Sequence, residues 1–171
     1  MAQSYCLDAN VLIQAWQKYY APEFCSDYWV ILNTLGKQGR IFIPEEVKNE
    51  IVVTKNKEKL DDDLSIWLSQ SFIPVHKPSE SVIKCWQQIL KANPLHKLLV
   101  DSTKGRSLAD PWVISHALDK NACVVTKESP IIASNAKKPV TIPNVCYNMQ
   151  IRCIDDFEFV KELGLKFSCS L

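Results

Sequence analysis

Apolar residues fall along the chain in two alternating patterns, short continuous runs and stretches spaced by three or four residues. The short runs predict buried strands, and the wider spacing predicts amphipathic helices with one face on a core. The runs are residues 5–7, 41–43 and 122–126, and the helical stretches are residues 11–16, 22–38, 44–55, 61–68, 79–92, 107–119 and 155–163. Strands that alternate with helices predict a parallel sheet covered on both faces.

Three further segments carry weaker patterns. Residues 72–75 predict an extended connector, and residues 140–142 and 151–154 predict two additional strands. We therefore expect an α/β fold, a three-layer α/β/α sandwich with a central, mainly parallel sheet of four to five strands.

The composition is that of an ordinary globular domain. The chain has 171 residues, of which 47% are hydrophobic and 23% charged, so we expect a single domain over residues 1–171. The net charge of +1 gives no overall attraction to polyanions, and any site for one must be local. The sequence shows no basic leader before a long apolar run and no membrane-length apolar stretch, which predicts neither secretion nor membrane insertion.

The spacing of the cysteines, glycines and histidines limits the kinds of binding or catalytic site that we expect. The seven cysteines form no C-x-x-C pair and mostly adjoin apolar residues, which predicts reduced core thiols in a cytoplasmic protein. The four glycines lack the spacing of phosphate-binding loops, and the three histidines lack zinc-site spacing. We expect His116 to be packed rather than catalytic, and the five tryptophans to belong to the core unless one is exposed to stack on an RNA base.

Four carboxylates are predicted to meet at one edge of the sheet. Asp8 and Glu128 directly follow predicted strands, and ligands of open parallel sheets bind at these carboxyl ends. Glu50, on the helix after the second strand, and Asp110, which opens the helix before the third, reach the same edge if the crossovers are right-handed. Such a cluster is tolerable at neutral pH mainly with a divalent cation, and oxygen ligands favour Mg²⁺ or Mn²⁺.

Simpler structural roles also fit these residues. Asp8 and Asp110 each precede a predicted helix and could cap it, as Asp before Pro111 commonly does. Glu50 could pair with Lys48 or Thr54 on a solvated face. Taken one residue at a time, the spacing leaves these alternatives open.

Four segments in order resemble the successive motifs of PIN domains, which are metal-dependent ribonucleases and include the VapC-type toxins of bacterial toxin–antitoxin pairs. These segments are residues 7–13, 43–51, 109–117 and 124–128. The tail, residues 142–146 and 151–154 with the Leu163-Gly164 helix end, resembles an uncharacterised bacterial PIN-like subgroup.

The resemblance implies a role for each matching position. Asp8, Glu50 and Asp110 match the acidic metal-binding and catalytic triad, and Glu128 matches the fourth acidic position, where Asp is more usual. Two polar residues complete the matching set: Thr126, at the usual polar neighbour, and Asn10, which would position a water or a phosphate oxygen. The implied activity is a Mg²⁺- or Mn²⁺-dependent endoribonuclease, with a cognate antitoxin and a homodimer as implied partners.

Basic residues flank two of the motifs. Lys104 and Arg106 precede Asp110, and Lys127 precedes Glu128, so we expect these three to contact backbone phosphates of RNA. A haloacid-dehalogenase-like phosphatase would need a second acid where Asn10 stands. The competing interpretation is a catalytically inactive PIN-like protein that binds RNA or acts as a scaffold, which would bind no divalent metal near Asp8.

Overall fold

A computed structural model describes residues 3–55, 62–100, 108–131 and 140–167. Within these ranges the strands are β1 (Tyr5–Leu7), β2 (Ile41–Pro44), β3 (Val75–His76), β4 (Cys123–Val125) and β5 (Cys153–Ile154). The α-helices are α1 (Ala9–Gln14), α2 (Pro22–Lys37), α3 (Glu45–Lys55), α4 (Asp62–Gln70), α5 (Glu80–Ala92), α6 (Asp110–Lys120), α7 (Ile142–Asn148) and α8 (Asp156–Glu162). A π-helical segment, Ala15–Tyr19, extends α1, and a 3₁₀ segment, Pro94–Leu99, follows α5.

The five strands form one parallel sheet in the order β3-β2-β1-β4-β5. The chain moves from β1 outward to β3 and then returns to the other side of β1, so the strand order reverses between β1 and β4. With right-handed crossovers, the helices before and after this return cover opposite faces. The packing agrees, because α3 contacts α1 and α4, whereas α6 contacts α5 and α7. The expected three-layer α/β/α fold is confirmed.

The central strands form the core of the molecule. Every residue of β1, β2 and β4 is buried, as expected for strands covered by helices on both faces. Helix α2 approaches the chain entering β3 so closely at Gly36 that an added Cβ would lie 2.7 Å from the Cα of Ile73. Only glycine therefore permits this contact between α2 and the segment that becomes the edge strand.

Two predicted segments differ in the structure. The strand expected at residues 140–142 is wrong, because Ile142 begins helix α7. The Asn144 side chain accepts a hydrogen bond from the Thr141 backbone N–H at 3.3 Å, and Pro143 stands in the first turn, so local capping favours a helix. The predicted connector at residues 72–75 runs into β3, where Val75 pairs with Ile43.

The cysteines and tryptophans lie largely as expected. Six of the seven cysteines fall in the described ranges and are free thiols, whereas Cys169 lies outside them. Trp29 is buried, and the other four tryptophans are half-buried. Across the part of the chain that the structure describes, no helix is both long and apolar enough to cross a membrane.

Candidate active site

Asp8 and Thr126 are joined where the strand order reverses. Leu7 and Val125 are register partners, so Asp8 and Thr126 are the next residues beyond the paired strands. The Asp8 backbone N–H donates to the Val125 carbonyl at 3.0 Å, and the Thr126 hydroxyl donates to Asp8 Oδ2 at 2.7 Å. Both side chains are buried. Open parallel sheets bind ligands at such a reversal point, outside the carboxyl ends of their strands.

The turn after β4 is held by two more hydrogen bonds. Thr126 Oγ1 accepts the backbone N–H of Glu128 at 3.1 Å, and Asn10 Oδ1 accepts the backbone N–H of Lys127 at 2.9 Å. Together with the bond from Thr126 to Asp8, these contacts tie the turn to the chain that leaves β1. The positions of Asp8 and Glu128 are therefore fixed relative to each other.

Three of the predicted carboxylates influence one another electrostatically. The pKa of Asp8 is raised to about 7, chiefly by burial; the Thr126 hydroxyl opposes this rise, and the charges of Glu128 and Glu50 contribute to it. Burial also raises the pKa of Glu50, and the charge of Glu128 raises it further. The structure thus brings Asp8, Glu50 and Glu128 into one electrostatic environment at the carboxyl-end edge.

The Glu128 side chain has a hydrogen-bond partner that was not predicted from the sequence. Its Oε2 accepts the backbone N–H of Ile142, the first residue of α7, at 2.7 Å. Burial raises the pKa of Glu128, and this hydrogen bond lowers it. One carboxylate oxygen is therefore bound to α7. The sequence signal for this contact was the capping pattern from Thr141 to Asn144, part of which falls in the strand predicted at residues 140–142.

Asp110 is the first residue of α6 and is buried. Helix α6 leads back to the start of β4 and has 11 residues, or about 16 Å of length, so Asp110 lies toward the carboxyl-end edge. Ala109, not Asp110, occupies the N-cap position of this helix. Asp8 does occupy the N-cap position of α1, but its side chain makes no capping hydrogen bond within the described residues. Helix capping therefore does not account for Asp8, and Asp110 lies one residue past the N-cap position.

The donor chemistry of this edge fits a divalent cation, although its side chains are not arranged as a closed metal site. Among the residues that the structure describes, no group of three acidic, histidine or cysteine side chains could hold a metal ion as placed. The carboxylates nevertheless supply the oxygen ligands that Mg²⁺ and Mn²⁺ prefer. Their mutual repulsion, seen in the raised pKa of Asp8, is what a bound cation would relieve.

Of the three predicted phosphate-binding residues, the structure describes only Lys127. Lys104 and Arg106 lie outside the described residues. The ammonium of Lys127 is 2.6 Å from Asp156 Oδ1, and it lies over the rings of Tyr19 and Phe157. The Lys127 side chain thus makes internal contacts, and only its backbone N–H contributes to the turn beside Asp8.

Asp156 was not identified from the sequence. Its side chain is buried against Lys127, whereas the preceding Asp155 caps α8 by accepting the Glu158 N–H at 2.7 Å. The available signal was two successive aspartates where one suffices to cap a helix. The second aspartate was therefore a candidate for another role.

His116 is packed in the interior, as expected. Within the part of the chain that the structure describes, neither of its ring nitrogens has a hydrogen-bond partner. The pKa of His116 is lowered to about 4, chiefly by burial and in addition by the positive charges of His76 and Lys120. The imidazole is thus neutral near pH 7 and lies apart from the carboxylate chemistry.

Comparison with known proteins places the chain in a family. The chain belongs to the family described as Domain of unknown function (DUF4411), which it matches over residues 5–167. No curated protein matches it.

Solved structures share the fold. A chain in the crystal structure of VapBC2 from Rickettsia felis bound to a DNA fragment from their promoter aligns with a TM-score of 0.60 at 17% identity. Chains of DNA-bound VapBC from Salmonella typhimurium and of VapBC-1 from nontypeable Haemophilus influenzae align with TM-scores of 0.53 and 0.54, both at 16% identity. Each alignment covers 90% of this chain and 98% of the other. These likenesses confirm the PIN-like fold.

Proposed function

We propose that this protein is a divalent-metal-dependent endoribonuclease that hydrolyses RNA phosphodiester bonds and acts as the toxin of a toxin–antitoxin pair. The observation that carries the proposal is the buried Asp8, which lies at the strand-order reversal and whose pKa is raised by burial and by the charges of Glu128 and Glu50. Acidic residues gathered at such an edge are typical of sites that use a cation to bind a phosphodiester.

The four carboxylates are assigned to the metal. Asp8, Glu50 and Asp110 would hold Mg²⁺ or Mn²⁺, with Glu128 as the fourth acidic residue. The bound ion would offset charge on the scissile phosphate and lower the pKa of a water. Hydrolysis by in-line attack of water would leave 5′-phosphate and 3′-hydroxyl ends.

The neighbouring polar residues orient these carboxylates. The Thr126 hydroxyl donates to Asp8 Oδ2 and so orients the carboxylate that we assign to the metal. Asn10 uses its Oδ1 to accept the Lys127 N–H, so we assign its amide N–H groups to a phosphate oxygen or a water. We retain Lys104 and Arg106 as candidate phosphate contacts.

The proposal also includes protein partners, which rest on the structural likeness to VapBC chains. The similar chains come from structures of VapBC, which supports a cognate antitoxin for this protein; we retain a homodimer as its proposed assembly. Co-expression with the product of the adjacent gene, followed by co-purification and measurement of the complex mass, tests both. Cleavage activity that is unchanged by every co-expressed neighbour would argue against the toxin role.

The nuclease proposal is tested by RNA cleavage with end-group analysis. Purified wild type and the Asp8→Asn and Asp110→Asn variants are incubated with mixed RNA in Mg²⁺, in Mn²⁺ and in chelator. We expect metal-dependent cleavage to 5′-phosphate ends by wild type and a loss of at least about 100-fold in each variant, because each loses a charge assigned to the metal. Asp119→Asn is the matched control, since Asp119 is exposed on the same helix as Asp110.

The outcomes separate the nuclease from its alternative. Equal cleavage by Asp8→Asn would assign the activity to another site or to a contaminant. Folded wild type that binds RNA without cleaving it under any of these conditions would favour the inactive RNA-binding protein. Calorimetric titration with Mn²⁺ distinguishes the two independently of turnover, because only the nuclease requires a binding event that Asp8→Asn abolishes.

A further inference from the structure

Two partly exposed aromatic rings lie next to the turn that carries Thr126 and Glu128. Tyr19, at the end of the π-helical segment, is 42% exposed, and Phe157, in the first turn of α8, is 51% exposed. Their ring centroids are 5.6 Å apart with the planes nearly perpendicular. About half of the surface of each of these large side chains is therefore available to a ligand.

Lys127 fixes these rings relative to the carboxylates. Its ammonium lies 4.5 Å from the Tyr19 ring centroid and 4.4 Å from the Phe157 ring centroid. The Lys127 side chain is only 12% exposed, and the carboxylate of the more deeply buried Asp156 neutralises its charge. The backbone of the same residue is bound to Asn10, two positions after Asp8. One lysine side chain therefore spans the distance from the carboxylate edge to the aromatic pair.

We propose that Tyr19 and Phe157 form a stacking platform for an unpaired base of single-stranded RNA whose backbone enters the carboxylate site. This inference rests on the proposed nuclease function and adds to it where a base of the substrate is held. Aromatic rings stack on bases with little sequence preference, and only unpaired bases expose the faces that stacking needs. The platform thus favours single strands over duplexes.

The neutralised lysine also indicates the chemistry of this surface. Because Asp156 pairs with Lys127, the platform adds no net charge, and it offers a base the ring surface that Lys127 leaves exposed rather than a phosphate contact. Recognition there is expected to depend on the base, whereas binding through Lys104 or Arg106 would depend on the phosphates.

Binding is measured with ring-removing variants and a matched control. Fluorescence anisotropy reports the dissociation constant of a labelled single-stranded RNA, of the same strand with abasic positions, and of its duplex. The protein carries Asp8→Asn, which prevents cleavage, alone or combined with Tyr19→Leu or Phe157→Leu. Phe72→Leu is the control, because Phe72 is 60% exposed and also lies beside a lysine, Lys37, at the opposite end of the sheet where α2 leads into β2.

The inference predicts a base-dependent loss. Each platform variant should bind the single strand about tenfold more weakly, the cost typical of one lost base–ring stack, and should lose the preference for base-bearing over abasic RNA. Phe157→Tyr should restore both, and Phe72→Leu should change neither. General loss of structure would lower binding to all three RNAs alike and would not remove this preference selectively.

The inference would be overturned by an unchanged preference for base-bearing RNA in the platform variants, by equal affinity for duplex and single strand, or by no RNA binding by the parent protein. Platform variants that lose only the binding of a co-expressed partner protein would assign this surface to that protein and also overturn it. Its failure is distinguishable from that of the proposed function. If the wild-type protein never cleaves RNA but the platform variants lose base-dependent binding, the platform stands and the nuclease does not.

Discussion

Two buried ionisable residues differ in the charges around them. Asp8 is bonded to Thr126 at the carboxyl ends of the strands, whereas His116, on α6, lies beside the half-buried His76, with their ring centroids 6.2 Å apart. Burial is the main cause of both pKa shifts, which favour the neutral form: the pKa of Asp8 rises to about 7 and that of His116 falls to about 4. Neighbouring charges contribute to both values, the negative charges of Glu128 and Glu50 at Asp8 and the positive charges of His76 and Lys120 at His116.

This difference separates a candidate cation site from a packed histidine. Burial perturbs both groups, so a shifted pKa alone identifies neither as functional. Negative neighbours make the Asp8 environment attractive to a cation, whereas positive neighbours make the His116 environment repel one. The sign of the converging charge therefore carries more functional information than the size of the shift.

Asp8→Asn should stabilise the metal-free protein while abolishing its proposed activity. The folded pKa of about 7 exceeds the unfolded value of 3.8, so stability from protonated Asp8 is complete below pH 3.8 and lost as the pH rises through 7. At pH 8 in chelator, the variant should gain up to about 4 kcal/mol in the free energy of unfolding, measured in urea. The exposed Asp119→Asn should gain nothing, and a less stable Asp8→Asn would contradict this account.

Lys127→Met tests a buried ion pair, in which the charges balance. The substitution leaves the buried Asp156 carboxylate without its cation, which should lower the free energy of unfolding by roughly 3–4 kcal/mol. Adding Asp156→Asn should recover most of this loss, as seen in urea unfolding. Lys37→Met, which removes a lysine over the exposed Phe72 ring, should cost under about 1 kcal/mol. Equal losses at the two lysines would show that Lys127 is not a buried ion pair in solution.

His116→Leu should flatten the acid side of the stability profile. The folded pKa of about 4 lies below the unfolded value of 6.5, so the unfolded chain binds the proton first and stability falls as the pH drops from about 6.5 to 4. This histidine accounts for up to about 3 kcal/mol of that fall. Thermal unfolding of both proteins from pH 7 to pH 4 measures it. A parallel profile in the variant would place the acid sensitivity elsewhere, His76 being the neighbouring candidate.

Of the four substitutions, Thr126→Val should change the free energy of unfolding least, and it should also change the pKa of Asp8. Loss of the hydroxyl removes its hydrogen bond to Asp8 Oδ2 and the one it accepts from the Glu128 N–H, which should cost about 1–2 kcal/mol. It also raises the pKa of Asp8 further, since the hydroxyl now lowers it. Thr126→Ser, which keeps the donor, should resemble wild type. Carboxyl chemical shifts followed by NMR titration give the pKa in each protein. An unchanged value in Thr126→Val would remove the hydroxyl as an influence on Asp8.

The sequence by itself determined the features that depend on neighbouring residues. The apolar runs of β1, β2 and β4 mark strands because a strand covered on both faces must be apolar throughout. Asp8 and Glu128 could be placed at strand ends because they directly follow such runs. The alternation of these segments with helical stretches predicted the parallel sheet, and the resemblance of four segments to PIN motifs implied the PIN-like fold.

Only the tertiary structure decided which distant groups share an environment. β3 has two residues and no apolar run, so its pairing with β2 makes it a strand. The bond from Thr126 to Asp8 joins residues 118 positions apart, and the contacts of Glu128 with Ile142 and of Lys127 with Asp156 depend on how α7 and α8 pack. Local spacing carries no information about such contacts, because the register of the sheet and the packing of helices are set by the burial of the whole core.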